Sequence, residues 1–512
     1  MLKYVKVESG VLQGNLGYDP RITVFKGVPY AAPPVGPLRW RPPQPVPAWE
    51  GVRSTAEYAP MSIQSPPGVD PKEFWTKELH PAGPDFEMSE DCLYVNIYTP
   101  AKTGNEKLPV LYYIHGGGYQ GGYPYEIEFD WEHMARKGIV VVAVTYRLGV
   151  FGFLTHPELS AEDPEGPKGN YGIQDQIYGL AWTKRNIAAF GGDPDRITIA
   201  GQSAGAGSVQ CLITSPLAKG LMNGAIIQSA VSAEFPDRGS AFMRANSLAE
   251  SEQRGVEFFK AAGIHSLAEA RSLPAMEIFE RTKGMGRGMM FMPVVDNYVL
   301  FEPAFQAYLR NAHHRIPILT GYTRGESGMF SRGKNVPATM AEYDAFAKQY
   351  GEHEAQFRAA CPVETDEDVK KLFASDALTD LIAGTYMFGV LQSRQDRKTY
   401  LYEFDADIPG DDNAGSFHGS ELYFAYDALA RSWRPFTGKS YDMARQISSY
   451  WTNFVKSGNP NGKDWLGYDL PEWREFTEEN QAMMLFTDES KEKQTGIDPM
   501  MKFRIDNALG TL

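Results

Sequence analysis

The chain has 512 residues, 43% of them hydrophobic and 22% charged, and a formal net charge of −14. That is the composition of a globular chain long enough to bury a large core without disulfides. The acidic balance argues against nucleic acid and against an anionic membrane surface as partners, since both require a basic face.

The first residues, MLKYVKVESG, carry no apolar h-region and no small-residue cleavage site, and no run of about 18 apolar residues occurs further on. Three cysteines, Cys92, Cys211 and Cys361, do not make a disulfide framework in a chain this long. Together these features predict a cytoplasmic protein. Residues 110–114 (VLYYI) read as a strand that ends in His115-Gly116-Gly117-Gly118, and residues 139–145 (IVVVAVT) as a second, continuously β-branched strand. A crossover helix is predicted over 174–189. The strand 197–200 (ITIA) then runs into Gly201-Gln202-Ser203-Ala204-Gly205 and a helix over 206–214. Further strands are predicted over 225–228, 316–320 and 399–404. Between them, 237–287 and 341–391 are helical in pattern and rich in Ala and Glu. Strands apolar on both faces, alternating with helices, indicate an α/β chain. The expected architecture is a large, mostly parallel central sheet with helices on both faces and helical insertions capping one end, all in one domain spanning 1–512.

The chemistry concentrates on Ser203. A serine between two glycines, on a sharp turn from strand to helix, has its hydroxyl pushed outward, and a Cβ at either glycine would crowd the backbone. The turn also aims the N–H of the next residue, Ala204, at a developing oxyanion, and the helix N-terminus favours that charge. The Gly116-Gly117-Gly118 run supplies further backbone donors of the same kind, with His115 shaping the loop. In the chain order serine, acid, histidine, the base is sought after Ser203. His353 sits in Gly-Glu-His-Glu, a solvated pattern, and His313-His314 form a surface-like pair. His418, in a loop after the strand 399–404, is the best base. For the acid, Glu326, Asp296 and Asp405 all remain open on spacing.

Several longer motifs occur in a fixed order: FKGVPYAAPPVGPLRW from Phe25, SEDCLYVNIYTP from Ser89, YRLGVFGFL from Tyr146, GNYGIQDQ from Gly169, FGGDPDRITIAGQSAG from Phe190 and YWTNFVKSGNPN from Tyr450. In these the chain resembles the type B carboxylesterases, the cholinesterase-like α/β-hydrolases, from about residue 5 to 490. The resemblance implies the α/β-hydrolase fold and serine esterase chemistry on small-molecule esters, with no metal or other cofactor. It implies Ser203, Glu326 and His418 as a catalytic triad, with the N–H groups of Gly117, Gly118 and Ala204 as the oxyanion hole. MMFMPVVD (289–296) resembles the acyl-pocket loop of the family, which would set Met289 and Phe291 at the acyl side. Trp75, Tyr119 and Phe330 are further aromatic candidates for an apolar gorge, hence for short-chain, aryl or other hydrophobic esters.

The departures carry information too. The family's usual disulfide partner for Cys92 falls at Ser62, so that bridge cannot form. The residue before the nucleophile is Gln202 rather than the common Glu, which weakens the case for a choline ester. Gly325 replaces a usual Asp. Glu90 reads as the structural partner of a basic residue such as Arg39. Two rival functions remain: a catalytically silent binding or adhesion module, and an amidase or lipase using the same triad.

Overall fold

The computed structural model describes the chain except for residues 69, 71, 81–86, 236–245, 284, 286–289, 327–336, 374–378, 495 and 512. At its centre, continuous apolar runs form strands buried on both sides. Along β7 (Leu108–Ile114), Val110, Tyr112 and Ile114 enter one apolar core while Leu111 and Tyr113 enter another. Along β8 (Val140–Val144) the split is Val140, Val142 and Val144 against Val141 and Ala143. This is the period of two expected of a strand with apolar neighbours above and below. The helices Tyr171–Asn186 and Ala204–Thr214 line the first core, and Gly438–Ser457 lines the second. Helices therefore cover both faces.

Among the described residues the sheet has 11 strands. Its order is β16 (Ser490–Gln494), β15 (Ala482–Phe486), β14 (Thr399–Phe404), β13 (Ile318–Thr323), β10 (Gly224–Gln228), β9 (Gly192–Gln202), β7, β8, β6 (Tyr94–Thr99), β4 (Thr23–Pro29) and β3 (Asn15–Leu16). From β15 to β8 every pairing is parallel. At the edges, β16, β6, β4 and β3 pair antiparallel. A small separate sheet joins β1 (Tyr4–Val7), β2 (Gly10–Gln13) and β5 (Val52–Ser54).

The predicted strands all occur, 399–404 with its predicted bounds and the others with shifted ones. The strand expected over 316–320 starts two residues later, after Pro317, which has no N–H to give the ladder. The strand expected over 197–200 extends through Gly192–Gln202. The crossover helix begins three residues earlier than predicted, at Tyr171. The antiparallel edge strands were not anticipated: their residues mix Thr, Asn, Gly and Pro with apolar ones and show no continuous run.

The insertions are helical as expected. The first contains Leu248–Ala262, Leu267–Ser272 and Ala275–Thr282, and β11 (Asn246–Ser247) pairs with β12 (Val294–Val295) at its base. The second contains Met340–Ala347, Glu354–Ala360, Asp366–Phe373 and Asp380–Arg394. Among the described residues, no helix is long and apolar enough to cross a membrane. All three cysteines are buried and free. Ser62 stands beside the Cys92 thiol, where the expected disulfide partner would be, and its hydroxyl accepts from the Leu148 N–H at 3.2 Å. The Arg39 guanidinium holds Glu90 by two bonds of 2.7 and 2.6 Å.

Candidate functional site

The parallel strands deliver the chemical groups at their carboxyl ends, where open α/β sheets bind ligands. Ser203 follows β9 directly, at φ 57° and ψ −126°, and the helix Ala204–Thr214 starts at the next residue. A non-glycine residue with that φ is held there by its surroundings. The Ser203 N–H donates to the Gln228 carbonyl at 3.0 Å, and its carbonyl accepts from Gly207 at 2.9 Å. The flanking glycines are required by close approach. A Cβ on Gly201 would lie 2.4 Å from the Gly205 carbonyl carbon, and one on Gly205 would lie 2.2 Å from the Ile114 oxygen. Ala204 opens the helix, so its N–H has no intrahelical acceptor.

The glycine loop follows β7. Gly117 and Gly118 have φ 101° and 64°, a backbone that side chains disfavour. The Gly116 backbone runs close to Ser203: a Cβ built there would stand 3.3 Å from that of Ser203. His115 stacks on Tyr146 with ring centroids 4.5 Å apart, and its Nδ1 lies 3.0 Å from the Gly116 carbonyl. Burial pushes its imidazole down to about 4, so it is neutral near pH 7 and shapes the loop.

His418 is buried, with Nδ1 2.7 Å from Glu326 Oε2. The other carboxylate oxygen of Glu326 accepts from the Thr323 hydroxyl at 3.1 Å. Gly325 allows this approach, since a Cβ there would stand 2.5 Å from the Ser416 carbonyl oxygen. The two alternative acids are engaged elsewhere. Asp296 Oδ1 accepts from the backbone N–H groups of Tyr298, Val299 and Leu300, and Asp405 accepts from the Ser416 hydroxyl. The imidazole of His418 is held above its ordinary range. Burial pulls it down, but the Glu326 charge, its hydrogen bond and the Glu421 charge outweigh burial. His313, expected at the surface, is buried, with Nε2 2.9 Å from the Gln392 amide nitrogen.

Two contacts were not foreseen. The Gln202 amide nitrogen lies 3.1 Å from His418 Nε2. With Nδ1–H given to Glu326, that amide donates to the Nε2 lone pair. Glu421 is a second, fully buried carboxyl near His418. Burial first and the Glu326 charge second push it up to about 7.

Ser203, Gln202, His418 and Gly116 to Gly118 open on one cavity of about 750 Å³. Trp75 and Tyr119 line it. Phe291 does not: its ring packs edge-on against Phe258 in the core, and its neighbours Met290 and Met292 form that wall instead. Along an extended stretch, alternate side chains face opposite ways. Met289 and Phe330 lie outside the described residues. Glu126, Glu128 and His80 also line the cavity and were missed. The available signal was a pair of charges inside an aromatic stretch, Tyr123-Pro124-Tyr125-Glu126-Ile127-Glu128-Phe129. Among the described residues, no group of three or more His, Cys, Asp or Glu side chains is placed to hold a metal ion.

The profile of the Carboxylesterase family matches residues 2–503. The chain is 33% identical to the fumonisin B1 esterase of Sphingopyxis macrogoltabida, over 89% of this chain and 82% of that protein. It is 32% identical to liver carboxylesterase 1 of Oryctolagus cuniculus, over 89% and 85%. Among solved structures, it is similar to the Geobacillus stearothermophilus carboxylesterase EST55, with a TM-score of 0.76, 30% identity and 98% and 99% of the two chains covered. It is also similar to a PNB esterase, with a TM-score of 0.78, 27% identity and coverage of 98% and 100%.

Proposed function

Because the chain belongs to the carboxylesterase family and is a carboxylic ester hydrolase, we propose that Ser203, His418 and Glu326 carry its reaction through an acyl-enzyme. The supporting observation is the 2.7 Å contact of His418 Nδ1 with Glu326, made at the wall of the cavity onto which Ser203 opens. With Nδ1–H held by Glu326, the Nε2 lone pair is the base. It takes the Ser203 proton as the oxygen attacks the ester carbonyl. The N–H groups of Gly117, Gly118 and Ala204 receive the developing oxyanion. The imidazolium then gives its proton to the leaving alcohol, and water repeats the cycle to release the acid. No step calls for a metal or cofactor.

The cavity has the size of a small-ligand site, and Trp75, Leu79, Phe129, Phe417 and Leu422 give it apolar walls. Hydrophobic and aryl esters of short to medium chain fit it. Turnover of a p-nitrophenyl ester series from acetate to palmitate tests this. Activity is expected to peak at short or medium chains and fall at palmitate, whereas a rise towards palmitate would favour a lipase. An inert protein on every ester would favour the amidase or silent-module reading. The buried free thiols, with Ser62 opposite Cys92, fit a reducing compartment such as the cytoplasm.

The base must be neutral to act, and its pKa is raised, so kcat/KM is expected to rise with pH through a midpoint above 6.5. Glu421→Gln removes a charge that favours the imidazolium, so the acid limb is expected to move to lower pH. A limb that stays flat from about pH 5 to 8, measured on p-nitrophenyl butyrate, would rule out a histidine base.

A further inference from the structure

The cavity holds a second polar feature that the ester chemistry leaves unused. Glu126 and Glu128 line it, and both side chains are almost fully buried, at 5% and 3% exposure. Their carboxyls lie close enough to act on each other directly. One oxygen, Glu128 Oε2, is buried without a hydrogen-bond partner among the described residues. The Tyr113 hydroxyl, on the same wall, is likewise unpartnered.

The neighbours do not neutralise this pair. His80 Nε2 stands 3.8 Å from Glu126, but burial pushes its imidazole down to about 4, so it carries no charge near pH 7. Arg431 acts on Glu128 only through space, and its guanidinium donates to the Phe129 carbonyl. Glu78 adds a like charge, although Arg434 holds it at 2.7 and 3.1 Å. Burial, and then the mutual repulsion of the two carboxylates, pushes Glu126 far above the ordinary carboxylate range, and burial pushes Glu128 up as well. Two carboxyls so placed share a proton when nothing else occupies the site. Sharing a proton leaves one oxygen still without a donor.

We propose that Glu126 and Glu128 form an ammonium subsite inside the ester cavity, which selects esters whose acyl or alcohol part ends in a primary amine. The ligand class follows from the acceptors. A primary ammonium brings three N–H donors, enough for both carboxyls and the unpartnered oxygen, and it displaces the shared proton. A quaternary ammonium has no N–H and gains only charge. This inference rests on the proposed esterase site, because it assigns the substrate class of that same cavity.

The first measurement needs no variant and no turnover. Calorimetry compares n-hexylammonium with n-hexanol binding to the whole protein at pH 7. The ammonium is expected to bind about tenfold or more tightly, since charge-assisted hydrogen bonds are the stronger ones. Its heat should depend on the buffer, reporting release of the shared proton. The second measurement is the ratio of kcat/KM for p-nitrophenyl 6-aminohexanoate to that for p-nitrophenyl heptanoate. The ratio is expected to exceed about ten in the wild type and to fall to about one or below in Glu128→Gln and in Glu126→Gln/Glu128→Gln. Taken within each protein, the ratio cancels any general loss of activity. Hexylammonium no tighter than hexanol, or a ratio that survives both variants, overturns the subsite and leaves a structural carboxyl pair. Preferential ammonium binding without turnover of either ester supports the subsite and counts instead against Ser203 as the esterase nucleophile.

Discussion

Ser203→Ala is expected to lower kcat/KM on p-nitrophenyl butyrate by about 10⁴-fold or more, leaving only what the oxyanion donors and binding supply. The expectation rests on the turn that holds the residue. Its φ of 57° and the backbone bonds to Gln228 and Gly207 do not depend on the hydroxyl. Alanine meets the same left-handed strain as serine, so the fold should survive, and an unchanged thermal melt would establish that. Loss of activity together with an intact melt isolates the oxygen as the nucleophile. A variant that keeps a tenth of the activity or more would move the chemistry to another group.

Glu326→Gln should cost nearly as much, about 10³ to 10⁴ in kcat at pH 7, for a reason specific to this site. The Thr323 hydroxyl donates to Glu326 Oε1. In the variant that donor keeps the amide oxygen in place and turns the NH₂ towards His418 Nδ1. The imidazole then accepts at Nδ1 and carries its proton on Nε2, the wrong tautomer for a base. Single-turnover kinetics on the same ester would read the defect in acylation. A loss below about tenfold would mean that Glu326 acts on His418 only as a spacer. Adding Thr323→Val should return part of the activity, because the amide is then free to rotate.

Much of the proposed site was legible in the sequence because it is local. Gly201 to Gly205 follow a strand and precede a helix, and that strand–turn–helix pattern is written within a few residues, although Ile114 and Gln228 also press on the turn from afar. The glycine loop after β7 is similar. His418 could be reached by order along the chain, whereas spacing left Glu326, Asp296 and Asp405 open and only the family resemblance pointed to Glu326. In the fold Glu326 is the one that meets His418, while Asp296 caps backbone N–H groups and Asp405 a serine. The cavity wall was read least well. It is assembled from segments as far apart as Gln64 to Pro67, Trp75 to His80, Tyr113 to Phe129, Met290 with Met292, and Phe417 to Tyr423, which no single periodicity links. Phe291 was assigned to the wall from its loop, whereas alternation puts Met290 and Met292 there. The antiparallel edge was missed because mixed, half-polar strands carry no continuous apolar signal.

The spacing of the site along the chain has a consequence for how the molecule comes into being. Gly117, Ser203, Glu326 and His418 arrive in that order, and the helix Gly438–Ser457 and β15, which complete the fold around them, come later still. A chain emerging from the ribosome therefore carries Ser203, the proposed nucleophile, long before His418, the proposed base. Contacts between such distant segments are slow to form. During refolding from denaturant, helix content should return first. Esterase turnover should return with the slowest phase, when the two ends of the sheet close around the cavity. Catalysis is in this sense a late reporter of native topology, and a partly folded chain is chemically silent.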